Sequence, residues 1–249
     1  MSTPPSPARP SLRARLRAGE RVSGALVRMP CEEVVEMLAV AGLDFVLVDC
    51  EHGPADVLAL RHHLALADAH GMAVLVRPGE GEHVLAQRAL DQGAQGVVAP
   101  HVESAADAEA LVRALRYPPR GARGFATYSR AGRFGTVTAD AHRAAADERT
   151  LVIAMLESPA AIRDAGAILA VDGIDGYLVG VADLGASRSP DDPSVAELLA
   201  AVRTDPATAG AVRCDLALGD TAAALADGAQ VVVHNLTHVM MQAFRGLRA

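Results

Sequence analysis

The chain has no lysine and no tryptophan: all 23 of its basic residues are arginine, and aromatic residues make up 3% of its 249 positions. Without a lysine amine there is no Schiff-base chemistry on carbonyl substrates, because arginine stays protonated and cannot attack. Only the N-terminal amine could supply an imine. With so few large rings, the core must be built from Ala, Val and Leu packed between regular elements. No apolar run approaches the roughly 18 residues of a membrane span. The net charge of −7 lacks the basic excess that a nucleic-acid partner requires. Three cysteines, Cys31, Cys50 and Cys214, stand far apart with no CxxC spacing. That spacing suggests neither a disulfide framework nor a structural zinc site, and makes the cytoplasm the default compartment.

What is present is a rhythm. Short β-branched runs at 24–29, 44–49, 73–78, 95–100, 151–156, 175–180, 210–215 and 230–235 alternate with Ala/Leu-rich stretches of helical period. The helices are predicted at about 31–41, 55–70, 82–92, 105–116, 159–170, 194–203, 220–227 and 237–246. Ser104 with Asp107 resembles a capping box, and Gly42, Gly71, Gly93 and Gly228 stand where C-terminal caps would. Eight strand–helix units in this length predict an α/β fold, a single (β/α)8 TIM barrel over residues 12–249. Residues 1–11 read as a disordered Pro-rich lead before a short basic helix. A doubly wound open sheet is the alternative, but "RMPCEE" after the first strand is no glycine-rich phosphate loop. A phosphate-binding barrel is disfavoured for the same lack of glycines near the last two strands. The stretch 117–140, rich in Gly and Arg and without period, reads evenly as a functional lid or a surface excursion.

In such barrels the chemistry sits at the C-terminal ends of the strands. There the chain places Asp49, Glu51 and His52, then Arg77, then His101, Glu157, Asp183, and finally His234 and Asn235. Turn acids and capping residues could account for several of these singly, but three ionisable groups in "DCEH" favour a site. Arg77 offers a planar fork for a substrate carboxylate or for the acids of strand two. Glu157 and Asp183 end neighbouring strands and could share one hard cation, with water and a chelating substrate completing its shell. Either could equally be a helix-capping acid.

Taken together, "FVLVDCEHGP", "VLVRPG", "RYPPRGARG", "MLESPAAI" and "VDGIDGYLVGVADLGAS" resemble the HpcH/HpaI family of class II, metal-dependent pyruvate aldolases, in register over roughly residues 12 to 235. The resemblance implies a barrel holding Mg2+, Mn2+ or Co2+ on Glu157 and Asp183. It gives Arg77 contact with the 2-oxo acid, His52 oriented by Asp49 the acid/base step, and Gly180, Val181 and Ala182 the substrate carboxylate. The implied reaction is reversible cleavage of a 4-hydroxy-2-oxo acid to pyruvate and an aldehyde through an enolate. It also implies a homo-oligomer, a hexamer built as a trimer of dimers, with the last helix exchanged between subunits. On the same scaffold, an oxaloacetate-type decarboxylase and a catalytically inactive barrel used for binding or assembly are the alternatives.

The chain departs from the family pattern in four places. Val181 follows Gly180 where proline is usual, and Met155 stands where a glutamine precedes the metal-binding glutamate. "VVVHNLTH" replaces a Gly-x-Asp strand ending, and "APHVES" puts His101 at the rim. The metal pair itself is intact. Acceptor size is expected to depend on the 117–140 loop, the exchanged neighbour and His101, while Glu51 has no assigned role.

Overall fold

The computed structural model describes residues 10–218 and 220–248. Most of the predicted N-terminal lead lies outside the described residues; its last member, Ser11, accepts the N–H of Ala14 and caps the first helix. Eight parallel strands close in sequence order into a barrel. They are β1 Val22–Val27, β2 Phe45–Asp49, β3 Ala73–Arg77, β4 Gly96–Ala99, β5 Leu151–Leu156, β6 Gly176–Val179, β7 Val212–Ala217 and β8 Val231–Asn235. The helices are α1 Leu12–Arg17, α2 Glu32–Val40, α3 Val57–Ala69, α4 His83–Gln92, α5 Ala105–Leu115, α6 Ala139–Arg149, α7 Pro159–Arg163, α8 Ala165–Leu169, α9 Val181–Ser187, α10 Val195–Thr204, α11 Thr221–Ala226 and α12 Leu236–Arg245. No helix among the described residues is long and apolar enough to cross a membrane.

The predicted barrel is the fold observed, with three local differences. The helix expected over 159–170 is two short ones, parted at Asp164, which serves as the C-cap of α7 and N-cap of α8. Helices α6 and α9 fall where none was expected. The four glycines placed as caps all adopt positive φ, from 67° to 108°.

Strand alternation splits the apolar residues into two layers. Leu26, Phe45, Leu47, Leu75, Val98, Ile153, Met155 and Leu178 fill the barrel lumen, while Val46, Val48, Val74, Val76, Val152 and Ala154 face the helices. The small ring count is spent where it fills most: Phe45 is fully buried in the lumen, and β1 makes room for it at Gly24, where a Cβ would lie 2.7 Å from the ring. Helix α1 packs against this inner cluster through Leu12 and Leu16, held by Arg13 on Asp175 at 2.6 Å and by the Leu12 N–H on Gln95.

The same alternation aims the site. Counting in twos, Phe45 and Leu47 lead to Asp49, Leu75 to Arg77, Ile153 and Met155 to Glu157, and Leu26 to Arg28. On these four strands the lumen face ends in a polar group at the C-terminal mouth.

The long 117–140 segment is not at that mouth within this chain. It follows α5 and so leaves from the opposite end of the barrel. Arg130 donates to the Gln92 carbonyl and pairs with Asp68, and the Ala131 N–H reaches the Asp91 carbonyl. These partners lie at the C-terminal ends of α3 and α4, so any effect of this loop on acceptor size cannot arise in its own subunit's mouth.

Candidate active site

Asp49 is the anchor. It stands opposite Arg77 in the β2–β3 register and is fully buried. Arg77 donates through Nε to Oδ1 at 3.0 Å and through Nη2 to Oδ2 at 2.6 Å, a fork-on-carboxylate pair. Arg28 adds its Nε to Oδ2 at 2.8 Å. The backbone N–H groups of Glu51 and His52 reach Oδ1 at 3.2 and 3.1 Å. Burial alone would drive the Asp49 carboxyl up. The Arg77 bonds and charge, the His52 N–H and Arg28 outweigh it and hold the group below the usual carboxylate range.

The turn after β2 is therefore wrapped around a carboxylate. Asp49 meets His52 at its backbone N–H, and the His52 side chain lies on the exposed rim. Cys50 shares the turn, but burial first and the Asp49 charge second push its thiol up to about 11, which makes it a poor nucleophile. All three cysteines are free.

Glu157 lies across the mouth, 3% exposed. Its Oε2 accepts the His101 N–H at 2.8 Å, and the His101 ring approaches both Glu157 (3.6 Å) and Glu51 (3.8 Å). His101 achieves this with φ 50°, a left-handed conformation costly for a residue with a side chain. Without that turn, strand parity would send residue 101 outward. Burial, with the nearby charges of Asp183 and Glu51, raises the Glu157 carboxyl, against the pull of the His101 N–H and ring. Asp183 lies in the first turn of α9. Gly180, its N-cap, backs directly onto Glu157: a Cβ there would fall 2.5 Å from Oε1. Ser187, at the far end of α9, donates to the Glu157 carbonyl at 2.9 Å, tying α9 to the end of β5.

Glu51 completes the arrangement. It lies 3.2 Å from Arg77 Nε, yet its Oε2 is buried without a hydrogen-bond partner among the described residues. Four carboxylates (Asp49, Glu51, Glu157, Asp183) thus face two guanidiniums (Arg28, Arg77), an excess of two negative charges in a mostly buried site. A buried acceptor that receives no hydrogen bond and a buried carboxylate crowded by other acids fit a divalent cation with oxygen ligands. No cluster of three or more His, Cys, Asp or Glu side chains forms a ready cage among the described residues. Any such ion would take the rest of its shell from water and substrate.

Met155 lies in the lumen beneath Glu157, 3% exposed, so an apolar side chain replaces a polar one under the pair. His234 is remote from this cluster in its bonding; its Nε2 meets Thr221 Oγ1 at 2.7 Å. Sequence reasoning brought together Asp49, Glu51, Arg77, His101, Glu157 and Asp183, and missed Arg28.

Known proteins resemble this chain throughout the barrel. The family model described as HpcH/HpaI aldolase/citrate lyase matches residues 27–243. A protein from Rhizobium etli named pyruvate aldolase is 38% identical over 76% of this chain and 74% of its own length. A hydroxypyruvate/pyruvate aldolase from Pseudomonas aeruginosa is 40% identical over 73% and 69%. The crystal structure of an HpcH/HpaI aldolase from Desulfitobacterium hafniense superimposes with a TM-score of 0.86 at 28% identity, covering 96% of each chain.

Proposed function

The chain belongs to the HpcH/HpaI aldolase/citrate lyase family, and from that membership we propose a carbon–carbon lyase, a metal-dependent pyruvate aldolase. It would cleave a 4-hydroxy-2-oxo acid reversibly to pyruvate and an aldehyde. The observation that carries the reading is the mouth itself. A two-charge carboxylate excess, with Glu157, Asp183 and a Glu51 oxygen that accepts no hydrogen bond, faces a guanidinium, Arg77, already locked in place by Asp49.

Glu157 and Asp183 would hold Mg2+, Mn2+ or Co2+; a divalent ion there would supply Lewis acidity to the 2-oxo acid. Arg77 spends Nε and Nη2 on Asp49, which leaves Nη1 to meet the keto oxygen. Because its geometry is set beforehand, it stabilises the charge that develops there with little reorganisation. The N–H groups of Val181 and Ala182, past Gly180, open the first turn of α9 and would receive the substrate carboxylate. His52, held through its backbone by Asp49, would take the proton from the C4 hydroxyl. The C3–C4 bond then breaks, its electrons pass to the keto oxygen, the aldehyde departs, and protonation of the enolate at C3 gives pyruvate. The lack of lysine agrees with this chemistry, which needs no imine.

A homo-oligomer, arranged as a trimer of dimers with exchange of α12, is part of the proposal. Along α12 only Leu236 is buried, while Met241 and Phe244 lie exposed. A cytoplasmic setting suits the three free cysteines.

The test supplies purified protein and Mg2+ or Mn2+ with pyruvate plus a panel of aldehydes, and separately with oxaloacetate. Aldol products are expected. Pyruvate and CO2 from oxaloacetate with no aldol product would replace the reading with decarboxylation, and neither reaction would point to an inactive barrel.

A further inference from the structure

Arg28 belongs to the mouth but not to the machinery described so far. It follows Leu26 by two residues on the lumen face of β1, one residue past the end of the strand. Its Nε donates to Asp49 Oδ2 at 2.8 Å, on the same oxygen that receives Arg77 Nη2 at 2.6 Å. Asp49 would be amply held without it, since Arg77 supplies two bonds and the backbone two more.

The two arginines differ in what surrounds them. Arg77 is 7% exposed and has a second acid, Glu51, 3.2 Å away. Arg28 is 32% exposed; among the described residues its side chain's only hydrogen bond is from Nε and its only ion-pair partner is Asp49. Of the two guanidiniums that share Asp49, Arg28 is the one with no second acid beside it.

Position adds direction. β1 lies across the barrel from β5 and β6, which carry Glu157 and lead to Asp183. A 2-oxo acid lying between that pair and Arg77 would have the mouth over β1 and β2 within reach of its far half. There the His52 turn is pressed onto Arg28: a Cβ on Gly53 would lie 3.0 Å from the Arg28 carbonyl oxygen. Arg28 is thus tied at its Nε to Asp49 and packed along its backbone against the turn that carries His52, with its side chain partly exposed.

We infer that Arg28 is a specificity-determining residue that contacts the aldehyde half of the substrate and selects aldehydes bearing a carboxylate over neutral aldehydes of the same length. A guanidinium face is suited to a carboxylate, and discrimination of this kind arises from a buried or half-buried polar group that the neutral analogue leaves unpaired. The inference rests on the aldolase reading.

The experiment measures kcat/KM for aldol addition of pyruvate to matched pairs, glyoxylate against acetaldehyde and 4-oxobutanoate against butanal. It uses the full chain, Arg28→Gln and Arg28→Lys. The ratio within each pair cancels general damage passed on through Asp49. The native protein is expected to favour the carboxylated member, less so at high salt, in at least one pair. In Arg28→Gln that ratio falls about tenfold or more, chiefly through KM for the aldehyde, and Arg28→Lys keeps part of it because charge survives without the fork. If Arg28→Gln slows both members alike, or the native protein shows no preference in either pair, the inference is overturned while the aldolase reading stands. If Arg28→Gln fails to fold, an undiminished preference in Arg28→Lys at every salt concentration overturns it too. No aldol product from any aldehyde overturns the aldolase reading and this inference with it.

Discussion

Asp49 and Arg77 stand directly opposite each other on β2 and β3 and are joined by two parallel hydrogen bonds of 3.0 and 2.6 Å. The pair fixes both the turn that presents His52 and the guanidinium proposed to face the substrate. Asp49→Asn leaves two arginines around an uncharged amide, and breaking a buried pair from one side costs about 3–5 kcal/mol. Denaturant titration should show that loss at neutral pH. Asp49 has a folded value below its ordinary 3.8. Its stabilisation is therefore intact above about pH 4 and lost as pH falls through the lowered folded value, where the unfolded chain binds the proton more readily. The variant's stability should lack that acid-limb dependence.

Gly180→Ala tests the carboxylate cradle. The added Cβ would lie 2.5 Å from Glu157 Oε1, and the flexible carboxylate, not the strand, is the part that can give. Mn2+ affinity measured by calorimetry should fall at least about tenfold with the circular dichroism spectrum unchanged, in keeping with the sensitivity of metal sites to the orientation of their ligands. Unaltered affinity would mean that Glu157 is not a ligand.

His101 is held at φ 50° while its N–H binds Glu157. His101→Gly should keep that N–H and relieve the backbone, leaving thermal stability equal or higher while changing aldehyde preference. His101→Val places a β-branched residue at the same φ and should destabilise by about 1–3 kcal/mol. Melting curves of the two variants decide the point.

His63, on α3, is fully buried with both ring nitrogens lacking a hydrogen-bond partner among the described residues. Burial, helped by His62 and opposed by Glu32, keeps its ring neutral and lowers its value from 6.5. The unfolded chain therefore binds a proton that the folded one refuses. Stability is full above about pH 6.5 and declines as pH falls through that value. His63→Leu should flatten this decline; an unchanged slope between pH 7 and 5 would contradict it.

Much of this was legible in the sequence because strand parity and burial leave a periodic trace. Asp49, Arg77 and Glu157 each extend an apolar run by one more inward step. Arg28 obeys the same rule after Leu26 and is still hidden, because a single charge at the end of "GALVR" reads as the close of a strand. From sequence His101 reads only as a rim residue: parity sends it outward, and nothing in "APHVES" encodes the left-handed turn that brings it back. Helix α6, "ADAHRAAADER", buries only His142 and offers no apolar stripe to a periodicity reading. The place of the 117–140 segment was implicit in chain order, since a loop that follows a helix in this fold returns to the N-terminal end of the strands.

The most direct test of the central claim is the rate of aldol formation from pyruvate and an aldehyde with Mn2+ by the native protein and by Asp183→Ala. The account predicts product from the native protein and a rate at least about 10²-fold lower from the variant, as expected when a group stabilising developing charge is removed. Equal rates from the two proteins would contradict it.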